Sequence, residues 1–484
     1  MRAFPAIAIL AAGAGFVLAG CAAIPELGPA PQPRAQAALA SAASLTAPAA
    51  AWPSDRWWER YGDAQLDALV AEGLAGSPTL AEARARLDAA AAQARIAGAA
   101  LLPNLEGQAS VSETEQSRAE GFPPFIQDLL PKGYQPNGRF ALSAGYDLDL
   151  FGKNRAALAA AVSDRAAAAA DLAQARLTLS TAIAQAYADL GRLAAERAAA
   201  AEALSNREAT AGLVAQRVSN GLDTQAELKQ ARAAAPTSAA DLESLDEQIL
   251  LARHKIAALL GAGPDRGLGI VPPTAEQLRP FGLPSDVRIG LVGRRPDLVA
   301  ARERVEAAAR RIAVARAGFF PDVSLSAYLG RQAIGLADLA HPVSDIGSIG
   351  PAVTLPIFEG GALRGAWRGA RAGYDEAVAS YDQTLVQAVQ DVADTAASVE
   401  SAQRQLADRR AAFSEGEAAW RIAELRYRGG LSDYVSVLSA EDAVIAERRA
   451  LADAQARAFS LDIALVRALG GGFSDDKLAL AGGD

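Results

Sequence analysis

Reactive side chains are scarce in this 484-residue chain, and the one with distinctive chemistry is Cys21, its sole cysteine. A lone thiol cannot form a disulfide within its own chain, which leaves intermolecular pairing or covalent modification of the sulfur. Only two histidines are present: His254 in a Leu-rich stretch of helical spacing, and His341 in a loop. Each reads as an ordinary surface or satisfied histidine. No Gly-rich phosphate loop stands between a strand and a helix, and the pair Arg302 and Glu303 reads as a solvated helix face. These features argue against an enzyme, and one Met beside one Cys argues against a relay of soft metal ligands. No catalytic residue, metal ligand or cofactor is expected. A formal net charge of −9 and a pI near 5.1 argue against binding to nucleic acid or to an acidic lipid surface.

The surroundings of Cys21 give its thiol a role. Met1-Arg2, an apolar run from Phe4 to Leu18 and then small residues describe a signal peptide over residues 1–20. Leu18-Ala19-Gly20-Cys21 resembles a bacterial lipobox, which implies a lipid on Cys21 after cleavage. By the same resemblance, Ala22 in place of Asp implies sorting to the outer membrane. Residues 21–54 are rich in Ala and Pro and read as an extended, lipidated tether. No other run reaches the ~18 apolar residues that a membrane helix needs, so any crossing must be made of strands.

The elements behind these residues occur twice. The first copy, residues 55–270, carries Ser77-Pro78-Thr79-Leu80, Leu102-Pro103-Asn104-Leu105, Leu150-Phe151-Gly152 and Leu259-Leu260-Gly261. The second, 271–472, carries Arg295-Pro296-Asp297-Leu298, Phe320-Pro321-Asp322-Val323, Ile357-Phe358 with Gly360, and Ala468-Leu469-Gly470. A tail, 473–484, follows. Paired marks stay near 218 residues apart before a β-hairpin and 209 after it, so each copy is a helix, a hairpin and a long helical hairpin.

Strands alternate with period two. Phe140, Leu142, Ala144, Tyr146, Leu148 and Leu150 share one face, with Arg139, Ser143, Gly145, Asp147 and Asp149 on the other. Leu105 to Val111, Val323 to Leu329 and Ile349 to Ile357 alternate likewise. The pattern fits a transmembrane barrel strand, and it also fits a half-buried sheet of a soluble domain. Four strands cannot close, and hydrocarbon does not tolerate open sheet edges. Strands in a membrane would therefore require oligomers, and three chains giving about twelve strands make the smallest barrel with a lumen.

Proline is absent from Lys153 to Ser219, a stretch of ~100 Å if helical. Val378, Leu385, Val392, Val399, Leu406, Phe413 and Trp420 repeat every seven residues, and Leu172, Leu179, Ile183, Tyr187, Leu190 and Leu193 form a comparable face, so coiled-coil packing is expected. Pro236 should bend the returning helix of the first copy. Both hairpins turn at glycine: Arg217 precedes Gly221, Leu222 and Asp223, and Arg426 precedes Gly430, Leu431, Ser432 and Asp433. Either turn alone is a plain helix-hairpin reversal; two of the same order suggest shared docking and gating.

Leu291-Val292-Gly293-Arg294-Arg295-Pro296-Asp297-Leu298 and Phe319-Phe320-Pro321-Asp322-Val323-Ser324-Leu325 resemble the signature of the TolC-type outer-membrane efflux proteins. Trp57-Trp58, Tyr61, Asp63 and Pro78, the Leu355 to Gly361 junction, and Arg426-Tyr427 through Ala440 resemble their lipoprotein branch, of the OprM and NodT kind. The resemblance, over residues 54 to 472, implies a mainly α homotrimer with transmembrane β: a twelve-stranded barrel in outer-membrane lipid and a periplasmic α-helical barrel. It implies an exit duct for small molecules, docked at Arg217, Gly221, Leu222, Arg426, Gly430, Leu431 and Ser432 to a periplasmic adaptor and an inner-membrane RND-type pump. Relatives carry acidic residues at the tip constriction; here Ser436 and Ser439 stand where many have an acid, leaving Asp223, Glu227 and Asp433 as candidate gate acids. Two rival readings are a channel for type I protein secretion and a non-conducting structural coiled-coil lipoprotein.

Overall fold

The computed structural model describes residues 24–41, 44–45, 51–115, 117, 123, 125, 132–274 and 287–475. The signal peptide, Cys21 and residues 476–484 lie outside the described residues.

Caps and prolines set the helix starts. The Asp63 carboxylate accepts from the backbone N–H of Gln65 at 2.8 Å and Leu66 at 3.1 Å, opening α1 (Ala64–Gly76). Pro78 opens α2 (Pro78–Ala99), at a position where its missing N–H goes unused. Strands β1 (Asn104–Thr114) and β2 (Gln135–Asp147) follow, then α3 (Lys153–Ser219), α4 (Gln225–Leu259) and the single turn α5 (Asp265–Leu268). The second copy gives α6 (Val287–Arg294), α7 (Pro296–Ala317), β3 (Asp322–Ile334), β4 (Asp345–Thr354), α8 (Ala362–Arg428) and α9 (Tyr434–Ala468).

The duplication holds at the helix ends. α2 and α7 have 22 residues each and begin 218 apart, at Pro78 and Pro296. α3 and α8 have 67 each and begin 209 apart, at Lys153 and Ala362. α4 and α9 have 35 each, again 209 apart, at Gln225 and Tyr434.

The chain divides into two compact units, and each draws on both copies. The first combines residues up to Gln32 with Asp88–Ala166 and Glu303–Ala379, and contains the sheet. Its order is β1-β2-β3-β4, antiparallel throughout. The register puts Leu105 opposite Ala144, Ala144 opposite Ala327, and Ala327 opposite Ile349, so apolar residues of all four strands share one face. The other face carries the row Glu106, Ser143, Tyr328 and Ser348. Two strands stop sooner than the alternation suggests. β2 ends at Asp147, so Leu148, Asp149 and Leu150 lie beyond it. Asp149 turns the chain with φ 45°, and its carboxylate accepts from the backbone N–H of Asn154 and Arg155 at 2.9 and 3.0 Å, leading into α3. β4 ends at Thr354, ahead of Pro356, so Ile357 is not in the strand.

The Ala/Pro segment of this unit is held along α8. Trp367 Nε1 donates to the Pro25 carbonyl at 3.1 Å, Arg371 to the Gly28 and Pro29 carbonyls at 3.3 and 2.5 Å, and the Tyr374 hydroxyl to that of Pro31 at 3.1 Å.

The second unit combines Pro33–Leu87, Ala167–Arg302 and Ser380 onward. Its core joins Trp57, Trp58, Tyr61, Leu66, Leu69 and Val70 to Leu179, Ile183, Tyr187, Leu190 and Leu193 of α3, with Phe459 and Ile463 of α9. The seven-residue stripe of α8 is buried at Val378, Leu385 and Val392 but only half-buried from Val399 to Trp420. α4 runs through Pro236 as one continuous helix. Gly261 and Gly470 close α4 and α9 with φ 77° and 88°. A Cβ there would lie 2.6 Å from the Gly76 carbonyl oxygen and 1.9 Å from that of Arg294, so both copies need glycine where the hairpin returns to the end of its first helix.

Candidate functional site

The turn between α3 and α4 and the turn between α8 and α9 are built alike. Leu222 N–H donates to the Arg217 carbonyl at 2.9 Å, and Gly221 N–H to that of Val218 at 3.0 Å. Leu431 N–H donates to the Arg426 carbonyl at 2.8 Å, and Gly430 N–H to that of Tyr427 at 3.0 Å. Each is a Schellman closure, with Gly221 and Gly430 at φ 74° and 73°. The Arg-to-Gly-Leu spacing is thus explained by helix ending alone. Leu222 and Leu431, however, remain 64% and 73% exposed, leaving an apolar residue uncovered at each turn.

The acids differ. Counting by 209, the counterpart of Asp223 is Ser432, and that of Asp433 is Thr224. Asp433 therefore does not play the part of Asp223. Thr224 and Asp433 are both helix N-caps: Thr224 Oγ1 accepts from Glu227 N–H at 3.4 Å, and Asp433 Oδ1 from Ser436 N–H at 3.0 Å. Glu227 closes a capping box by accepting from Thr224 N–H at 2.6 Å, and Ser436 Oγ donates to Asp433 at 2.6 Å. Arg426 and Asp433 form no ion pair among the described residues.

Asp223 instead centres a cluster that joins both hairpins. Arg217 grips its carboxylate with two hydrogen bonds of 3.0 and 3.1 Å. The Tyr427 hydroxyl donates to the same carboxylate, and Arg217 donates to the Tyr427 carbonyl at 3.1 Å. The guanidinium also lies over the Tyr427 ring, 4.5 Å from its centre. Burial pushes the Asp223 carboxyl up, but the bonds from Arg217 and Tyr427 outweigh it and hold the group below the usual carboxylate range. Burial and the adjacent Asp223 push the Tyr427 hydroxyl up, so it remains a donor. Tyr427 and Tyr434, both buried, pack with Val214, Leu228, Ala231 and Val437 beneath the turns.

The sequence alone assigns Tyr427 no role of its own. The signal was a departure between copies, since Tyr427 replaces Val218 at the matched position, 209 residues away. Among the described residues, no group of three or more His, Cys, Asp or Glu is placed to hold a metal, and no helix is long and apolar enough to cross a membrane.

Comparison with known proteins places the chain in a family. The chain resembles the outer membrane protein VceC of Vibrio cholerae, at 44% identity and a TM-score of 0.80, over 87% of this chain and 100% of that one. It is 36% identical over 372 residues to the fusaric acid resistance protein FusA of Burkholderia cepacia, spanning 76% of this chain and 69% of that protein. It is 32% identical over 438 residues to the multidrug resistance outer membrane protein MdtP of Shigella flexneri, spanning 87% of each. The outer membrane efflux protein pattern matches residues 69–262 and 291–471, one stretch for each copy, and the chain belongs to that family.

Proposed function

We propose that three copies of this chain form a passive outer-membrane exit duct, which receives small toxic molecules from a periplasmic adaptor and an inner-membrane RND-type pump. The observation that carries this reading is the sheet. Its four strands align their apolar residues on one face, while among the described residues β1 and β4 leave both edges unpaired. A sheet with an apolar face and open edges calls for closure, and three chains supply the twelve strands of a barrel wide enough to conduct. Relatives with resistance and multidrug resistance in their names favour toxic organic molecules as cargo.

In this reading the helical hairpins reach the adaptor through their turns. Exposed Leu222 and Leu431 are the contacts, shaped by Gly221, Gly430 and Ser432, and flanked by Arg217 and Arg426. Asp223, with Tyr427, holds the turns shut. Glu227 and Asp433 have a lesser part in the gate, since each is engaged in capping its own helix. A lipid on Cys21 adds a second anchor.

Purified from outer membranes, the protein should have the mass of a trimer in detergent and form ion-conducting channels in planar bilayers. Cells lacking it should become hypersensitive to small antibiotics and organic acids. A monomer without conductance would instead favour a structural lipoprotein, and lost secretion of a protein without altered drug sensitivity would favour type I export.

A further inference from the structure

Glu441, two turns into α9, is only 2% exposed, and neither carboxyl oxygen has a hydrogen-bond partner among the described residues. Since neither oxygen presents surface, no neighbouring chain could reach them without movement of the helices. The charges around it are engaged elsewhere, except that Arg207 Nε, also buried, has no hydrogen-bond partner among the described residues. Arg207 of α3 donates to Asp442 at 2.5 Å, to Ser238 Oγ at 2.8 Å and to the Ala234 carbonyl at 3.3 Å. Glu424 of α8 is paired with Arg428, Glu417 with Arg421, and Glu202 of α3 with Arg448. Tyr434 and Asp442 face it from its own helix. The cavity beside it, lined by Asn206, Trp420 and Val444 among others, measures ≈ 20 Å³. That is room for about one water, too little to solvate a carboxylate.

An ionised carboxylate without partners is disfavoured in such a place, so the group holds its proton to a higher pH than a solvated Glu does. Burial pushes the Glu441 carboxyl up to about 7, with Asp442 and Glu424 adding to the rise and Arg207 opposing it. The matched position in the first copy, 209 residues earlier, is the exposed Arg232, so the arrangement belongs to the second hairpin alone.

We propose that Glu441 is a proton-controlled latch of the second hairpin: protonated, it lets α9 seat against α3 and α8, and ionised, it drives α9 toward a wetted, open arrangement. The latch rests on the reading of the chain as a gated duct. The sign follows from which state holds the proton. The closed tip binds it up to about pH 7, whereas an open, hydrated carboxyl releases it near ~4.3. Opening therefore releases a proton and is favoured as pH rises through that window.

The test is open probability in planar bilayers from pH 4.5 to 8. The parent trimer should open more as pH rises, by up to about tenfold per pH unit for each protomer that opens, and level off above neutrality. Glu441→Gln should stay in its low-conductance state with a flat profile. Glu441→Leu, which leaves no polar atom to bury, should behave the same and serves if the amide impairs folding. A parent profile that is flat, or a Gln variant that keeps the parent's slope, would overturn the latch while leaving the duct intact. Absence of any channel would overturn the duct itself. If the substitutions change thermal stability equally at every pH and leave the slope alone, Glu441 is structural and the latch is excluded.

Discussion

The Tyr427 hydroxyl donates to the Asp223 carboxylate across 204 positions of sequence, so one hydrogen bond ties the turn of the first hairpin to the end of the long helix of the second. A hydrogen bond to a charged group contributes about 1.5–3 kcal/mol, and a trimer repeats it three times. That sum is large enough to bias a two-state tip toward closure, and it depends on a single hydroxyl per chain.

Tyr427→Phe should therefore release the tip without removing its packing. The ring stays over Arg217 and against Tyr434, and only the donor is lost. Single-channel conductance should rise and cells should become leakier to large antibiotics, while the trimer survives in detergent. Conductance equal to that of the parent would remove this bond from the gate.

The same cluster predicts a response to acid. Asp223 is held below the usual carboxylate range, so its contribution is full above that range and disappears as pH falls through its lowered value. Below about pH 4, amide exchange at the tips of α3 and α4 should accelerate, and Asp223→Asn should exchange fast both there and at neutral pH. This window lies below the one in which Glu441 titrates, and its sense is opposite, since acid loosens the first contact and tightens the second.

The repeat was legible from sequence because proline and glycine mark its boundaries: Pro78 and Pro296 start helices, and Gly221 and Gly430 end them. The strand faces were legible because register preserves alternation. The pairing at the tip was not. Matching Asp433 with Asp223 by position after the turn slips one residue against the offset of 209, and the slip exchanges an N-cap for an ion pair. Glu441 left no trace either, because a Glu in a long, charge-rich helix reads as solvated until its neighbours are known. The lower seam of α8 is half-buried for a related reason: heptads announce that a face will be covered, not by what.

On the sheet, Leu142 stands opposite Leu329, and Leu325 opposite Tyr146, whereas Ser143 faces Tyr328 and Ser324 faces Asp147. Leu142→Arg or Leu325→Arg should cost about 2–4 kcal/mol near the bilayer midplane, read as lost yield of folded trimer in the outer membrane. Arg at Ser143 or Ser324 should be tolerated. Equal tolerance on both faces would count against a membrane-facing sheet.

The last prediction separates contacts within one chain from contacts between chains. Arg426 has no acidic partner in its own chain among the described residues, and Asp433 is committed to Ser436 N–H and Oγ. Its carboxyl is held below the usual range by the Ser436 hydroxyl and then by the Ser436 amide, not by a cation. Replacing Asp433 alone should fray the start of α9 and lower thermal stability. Replacing Arg426 alone should leave stability unchanged, because none of the described residues pairs with its guanidinium. If Arg426→Ala nonetheless raises conductance, the guanidinium must act on a neighbouring protomer, and that is the expected result for a residue exposed at a tip that three chains share. Parent-like conductance would confine the gate to Arg217, Asp223 and Tyr427, and leave Arg426 to the adaptor contact.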